Sequence, residues 1–259
     1  MQGIVPQKRL EPMMKRLCQL LLTGLVALAG LAGLAGLAGL VGPGGLVHAA
    51  PLTPLTPLSP VLPALRAELD RAVLEYASGR LVPARSAFES LARRGVPAAQ
   101  YNLAVMHLRG EVPRPDLALA RRWLVRAAEA GFVTAQLALG QGLENGDFGS
   151  RDLKAAHDWY ELAARAGSAD AQVAMGTAHY LGRGRAQDAL QAAQWYREAA
   201  ERGDVGAMYL LAAMYEKGDG VEPDLRLARH WYDLAARGGD EAAPAKLIEI
   251  DARLARQPG

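Results

Sequence analysis

The side chains of this chain that could do chemistry are few and far apart. Five histidines (His48, His107, His157, His179, His230) and 27 carboxylates could supply metal ligands, and Cys18 is the sole thiol. A zinc centre needs three or four converging ligands, commonly two on one helix face. No His-x3-His pair occurs, and the four histidines beyond residue 50 are well separated, so neither a metal nor a cofactor is expected. Two carboxylate pairs, Asp219 with Glu222 and Glu144 with Asp147, invite comparison with the acid and base of a glycosidase. Both lie in short polar stretches with nothing nearby to shape a cleft, and they read as solvated loop charge. Gly182-Arg-Gly-Arg is a poor phosphate loop, because no strand-like run precedes it and no Lys-Ser/Thr follows. No catalytic residue is assigned.

The four tryptophans are a different matter, because their spacing is fixed. Trp123, Trp159, Trp195 and Trp231 recur every 36 residues. At the same step come Ala99/Ala135/Ala171/Ala207, Gly110/Gly146/Gly182/Gly218, Asp116/Asp152/Asp188/Asp224 and Gly131/Gly167/Gly203/Gly239. A period of this size is the signature of a solenoid whose units cannot bury their apolar faces alone. The ladder could serve as a stacking platform for sugars or bases, but tryptophan at helical spacing beside alanines is assigned to the core.

Each unit reads as helix, loop, helix. In the first helix Leu103, Leu139, Met175 and Leu211 are expected to point inward, with Ala104, Gly140, Gly176 and Ala212 leaving room for a close neighbour. The four aspartates precede the second helix, where an N-cap accepts bonds from free N–H groups. In that helix Ala120, Trp123 and Ala127, with their counterparts, form one stripe. The glycine eight residues after each tryptophan suits the left-handed position that ends a helix. Residues 64–97 form a degenerate hairpin without the tryptophan, and 240–259 a terminal helix starting near Pro244, with Leu247 in the register of Leu211 and a polar end at Arg253 and Arg256.

With those positions in place, the segments Ala-Gln-Tyr-Asn-Leu-Ala-Val-Met-His-Leu-Arg-Gly at 99–110 and Ala-Arg-Arg-Trp-Leu-Val-Arg-Ala-Ala-Glu-Ala-Gly at 120–131 resemble the SEL-one-like repeat. This is a longer-looped relative of the tetratricopeptide repeat, and the resemblance covers 98–239 in four copies. The fourth is the fullest, with Tyr215, Gly218-Asp-Gly-Val and Trp231-Tyr232, while His107, Leu143 and His179 replace the usual tyrosine. The resemblance implies an all-α, right-handed α-solenoid of four helix-turn-helix units, acting as a non-enzymatic scaffold or adaptor. By analogy with the tetratricopeptide arrangement, first helices line a concave groove for a protein or peptide. The groove residues are then Tyr101, Arg109, Gln141, Glu144, Asn145, Thr177, Tyr180, Tyr209, Glu216 and Lys217. Exported members are associated with envelope assembly, polysaccharide export or host contact, so a subunit of such an assembly is the alternative. A penicillin-binding or β-lactamase-like activity belongs to members with a cysteine pair in each repeat. These repeats have no cysteine.

The remainder of the chain concerns address rather than chemistry. Lys15-Arg16 is a positive start, Leu17 to Val41 is uncharged and apolar, and Val47-His48-Ala49 places small residues before Ala50. Residues 1–49 are thus expected to be a signal peptide cleaved before Ala50, giving a periplasmic or secreted protein. An uncleaved inner-membrane anchor is the other reading, at about 1.5 Å of rise per residue. Translation can start at Met1, Met13 or Met14. Residues 50–63 carry a proline at every third position and read as an extended linker. Of the 29 basic and 27 acidic side chains, Lys8, Arg9, Lys15, Arg16 and Glu11 precede residue 50, leaving 25 against 26. That balance argues against a nucleic-acid-binding protein, which would concentrate Lys and Arg on one face.

Overall fold

The computed structural model of the chain describes residues 61–256, which form eleven α-helices and, among the described residues, no strand. They are α1 Val61–Ala77, α2 Leu81–Arg93, α3 Pro97–Leu108, α4 Leu117–Glu129, α5 Val133–Asn145, α6 Leu153–Arg165, α7 Ala169–Leu181, α8 Ala189–Glu201, α9 Val205–Lys217, α10 Leu225–Arg237 and α11 Ala243–Leu254. The first helix starts at Val61, three residues before the expected boundary at Ala64. The leader and most of the proline-rich linker lie outside the described residues. The chain divides into two units within α1, Met1–Arg71 and Ala72–Gly259. In the first, Arg66 Nε lies 3.7 Å from Asp70 Oδ2 on an exposed helix face. Everything that follows belongs to the second.

From α2 onward each helix packs against the next, and among the described residues extensive packing is confined to consecutive helices. The second unit is therefore held together by nearest-neighbour contacts, as a solenoid is. The expected caps are present: Asp116, Asp152, Asp188 and Asp224 accept from the N–H groups of Leu119, Ala155, Gln191 and Leu227 at 2.9–3.0 Å. Each second helix gives way to the following first helix through a glycine such as Gly167, whose φ of 91° excludes most side chains.

The core is built as expected on the first helices and differently on the second. Leu103, Leu139, Met175 and Leu211 are 0–2% exposed, as are the alanine pairs Ala120/Ala127, Ala156/Ala163, Ala192/Ala199 and Ala228/Ala235. The tryptophans are only half-buried. The residue after each takes the central place: Leu124, Tyr160, Tyr196 and Tyr232 are 0–3% exposed. Both positions lie on the apolar side of an α-helix, each about 50° from the mean direction of the two alanines, so it is the packing of the neighbouring helix that buries i+4 and leaves i+3 half-buried. Trp123 accordingly carries the Arg126 guanidinium over its ring, 5.0 Å from the centroid.

The small residues of the first helices have a definite job. A Cβ added to Gly140 would stand 2.6 Å from ring carbons of Tyr160, and one added to Gly176 would stand 2.7 Å from those of Tyr196. A second periodic device is a run of glutamines: Gln100, Gln136 and Gln172 donate to the carbonyls of Ala92, Ala128 and Ala164 at 3.1–3.2 Å, tying each first helix to the helix before it. At the fourth junction the same position is Met208.

The terminal helix departs from expectation. Ala243 and Ile250 are buried and Leu247 is half-buried against Tyr232, but the outer face does not turn polar throughout, because Ile248 is 74% exposed.

Candidate binding surface

The residues assigned to the groove fall into three groups. Tyr101 is 9% exposed, with its ring centroid 5.6 Å from that of Phe132, and burial pushes its hydroxyl up to about 12. It is a packing residue, and its assignment to an open groove is corrected. Its position on α3 turns it into the contact with the chain entering α5.

A second group carries polar side chains engaged within the fold. Arg109 donates to the Tyr76 hydroxyl at 2.7 Å and lies 3.8 Å from Glu111, while Tyr76 donates to Glu111 at 2.8 Å. Glu144 accepts from the Tyr160 hydroxyl at 2.8 Å, so it is a structural acceptor rather than solvated loop charge. Burial first, and then Glu144, keep the Tyr160 hydroxyl protonated well above its ordinary range. Thr177 Oγ1 lies 3.1 Å from the Tyr196 hydroxyl. Gln141 is half-buried and Asn145 exposed, and neither joins the pocket below.

Tyr180, Tyr209, Glu216 and Lys217 come together. With Tyr196, Leu210, Ala213, Met214, Asp219, Tyr232 and Lys246 they line a pocket of about 350 Å³ between α7, α9 and α11. Tyr209 sets its ring edge-on to that of Tyr232, centroids 5.1 Å apart. Tyr180 reaches over to donate to Asp219 at 3.1 Å, and this bond, with burial, raises its hydroxyl pKa. Asp219 is thus a hydrogen-bond acceptor, and its reading as loop charge paired with Glu222 is also corrected. Glu216 holds three groups: the Tyr232 hydroxyl at 2.9 Å, Arg253 at 2.8 Å and Lys246 at 3.5 Å. Four tyrosines with charged groups of both signs at the rim form a surface suited to a polypeptide, where tyrosine offers area with a polar end.

Sequence reasoning missed Lys246 and the tyrosines at 196 and 232. Lys246 lies in a helix treated as a cap. The two tyrosines follow the tryptophans at the same 36-residue step, and that doublet was the available signal. The glutamine series was visible in the same way.

The histidines do not assemble. Among the described residues no cluster of three or more His, Cys, Asp or Glu side chains could hold a metal. His107 is 9% exposed and its Nδ1 accepts from the Asp116 N–H at 3.3 Å; His157 is 2% exposed. Burial lowers both imidazoles, and Arg185 lowers His157 further. Gly182-Arg-Gly-Arg is a connecting loop, with Gly184 against His157 and Arg185 paired to Glu161 at 2.8 Å. No described helix is long and apolar enough to cross a membrane.

Stacked helical hairpins with a tyrosine-lined pocket on their first helices define a repeat protein of the interaction-scaffold class. The chain belongs to the Sel1 repeat family: residues 97–132, 133–168, 169–204 and 205–240 each match the Sel1 repeat. The family consists generally of non-catalytic protein-interaction scaffolds. Among solved structures, the chain is similar to a protective antigen present in uropathogenic Escherichia coli strains that displays an SLR fold, with 33% identity, a TM-score of 0.67, and coverage of 72% of this chain and 41% of that one. It is also similar to a Sel1 repeat protein from Oxalobacter formigenes, with 30% identity, a TM-score of 0.65, and coverage of 72% and 74%. The chain thus spans less than half of the length of the Escherichia coli antigen. No curated protein matches it.

Proposed function

We propose that this chain is an exported scaffold of the bacterial cell envelope that binds a protein or peptide in the groove of its first helices. The observation that carries this reading is the pocket of about 350 Å³ shared by Tyr180, Tyr209, Lys217 and Lys246, which draws on two repeats and the terminal helix. A site of that breadth suits an extended side-chain-bearing ligand better than a small molecule, since its rim offers both charge signs. Export is supported by Lys15-Arg16, the apolar Leu17–Val41 and the small residues before Ala50. The likeness to an Escherichia coli protective antigen is in keeping with an envelope address.

The test compares parent and a Tyr180→Ala/Lys217→Ala variant in affinity capture from an envelope extract, with intact-mass measurement of the recovered protein. Tyr180 is only half-buried and Lys217 exposed, so the variant is expected to melt near the parent. It should lose the captured polypeptide, and the mature mass should begin at Ala50 or within a residue or two. Full retention of the captured polypeptide would remove the groove from the proposal, and a full-length mass would replace the cleaved leader with an anchor.

A further inference from the structure

Two side chains of α9 set its repeat apart, and both face the pocket. Leu210 is 37% exposed and stands where the preceding repeats carry Asn102, Ala138 and Ala174. Lys217 ends the helix at the register of Arg109, Asn145, Leu181 and Arg253. Each arginine of that register has a carboxylate within the fold: Arg109 lies 3.8 Å from Glu111, and Arg253 donates to Glu216 at 2.8 Å. Lys217 has none among the described residues. The other charged groups of the rim are already engaged. Lys246 donates to Glu249 at 2.9 Å and lies 3.5 Å from Glu216, whose oxygens also take Tyr232 and Arg253. Asp219, two residues beyond Lys217, makes no ion pair with it and accepts from Tyr180 at 3.1 Å. Lys217 is thus the cation of the pocket left without a carboxylate, beside an apolar wall of Leu210, Ala213 and Met214.

Resting on the groove reading above, we infer that the pocket selects extended polypeptide segments carrying a bulky apolar side chain and, about three residues from it, an aspartate or glutamate. The apolar side chain lodges against Leu210 and the Tyr209 ring, and the carboxylate supplies the counter-charge that Lys217 lacks. The spacing comes from the helix. Leu210 and Lys217 are two turns apart on one face of α9, about 10 Å, and an extended chain covers that length in about three residues. An ion pair at so exposed a lysine adds little affinity; it discriminates, because a basic residue at the same place is repelled.

The test is selection of a random displayed-peptide library on the full chain, on Lys217→Glu and on Leu210→Asp, all three with the same helical spectrum. The parent should enrich Leu, Phe, Tyr or Trp with an acidic residue about three positions away. Lys217→Glu should enrich the same apolar residues with Lys or Arg in that place, and Leu210→Asp should lose the parent's peptides. In fluorescence anisotropy, a parent-selected peptide with its acid replaced by glutamine should bind about three- to tenfold more weakly, a gap that narrows with added salt. With lysine there instead, the peptide should regain binding on Lys217→Glu. Enriched peptides without the acidic position, or an acidic preference that survives Lys217→Glu, would overturn the inference and leave the groove in place. Peptides that bind Leu210→Asp and Tyr180→Ala/Lys217→Ala as they bind the parent would remove the groove itself, and a library without binders would overturn both.

Discussion

The Tyr232 hydroxyl donates to Glu216 Oε2 at 2.9 Å, and the other oxygen of that carboxylate accepts from Arg253 at 2.8 Å. One side chain, 9% exposed, therefore joins the two helices of the last repeat to the terminal helix. Burial and the carboxylate raise the Tyr232 pKa, so the phenol remains a donor. Replacing Glu216 with Ala leaves these donors without their acceptor and should cost about 2–3 kcal/mol in urea unfolding, while Glu216→Gln, which keeps one acceptor, should cost less. Equal losses for the two would mean that packing, not the hydrogen bonds, carries the contact.

The tyrosines, not the tryptophans, centre the second helices. Tyr160→Ala should cost about 3–5 kcal/mol, as loss of a large packed side chain does. Trp159→Ala, which removes a half-buried side chain, should cost about 1–2 kcal/mol. Thermal or urea denaturation of the two variants decides the order, and the reverse ranking would return the core to the tryptophans.

Gly140 gives a prediction whose sign is informative. In an open helix Gly→Ala gains up to about 1 kcal/mol. Here the new methyl group meets the Tyr160 ring at 2.6 Å, so Gly140→Ala should destabilise by about 1–3 kcal/mol. Combining it with Tyr160→Leu should reverse that penalty in a double-mutant cycle. A stabilised single variant would show that the ring shifts freely.

Acid should weaken the fold through its buried imidazoles. Burial holds His107 and His157 below the ordinary range, aided at His157 by Arg185, and the Asp116 N–H bond to His107 Nδ1 requires an unprotonated nitrogen. The folded chain thus keeps these groups neutral where the unfolded chain binds protons. Their contribution is fully present above the unfolded value of about 6.5 and is lost as pH falls from there toward the depressed folded values. Urea unfolding between about pH 7.5 and 5.5 should show declining stability, with a flatter profile for a His107→Gln/His157→Gln variant. A parent profile without slope would contradict the assignment.

How much of this was legible in the sequence depends on what the period can convey. It located the helix pairs, the aspartate caps and the glycine stops, because each of those is a local event with its own residue type. It fixed the inward leucines too. It could not choose between adjacent apolar positions, as Trp159 and Tyr160 show, since the 100° between them is resolved only by the neighbouring helix. Nor could it tell a half-buried Tyr180 from a buried Tyr101, both on first helices, because the contact that covers Tyr101 comes from Phe132, where the chain enters α5. Lys246 joined the pocket through packing of a helix that carries no repeat signature.

Met208 stands where three preceding junctions have a glutamine amide bonded to the carbonyl of the helix before. It packs instead against the apolar clusters on both sides of it. Amide bridges are directional and fix the tilt of one helix on the next, whereas dispersion and burial change little over small rotations. The joint between α8 and α9 thus lacks the buried amide bridge of the three before it and is tied instead at its rim, where Arg197 donates to the Tyr215 hydroxyl at 2.8 Å, and the pocket of Tyr180, Tyr209 and Lys217 straddles it. A ligand gripping both sides of that joint would set the local curvature of the array as it binds.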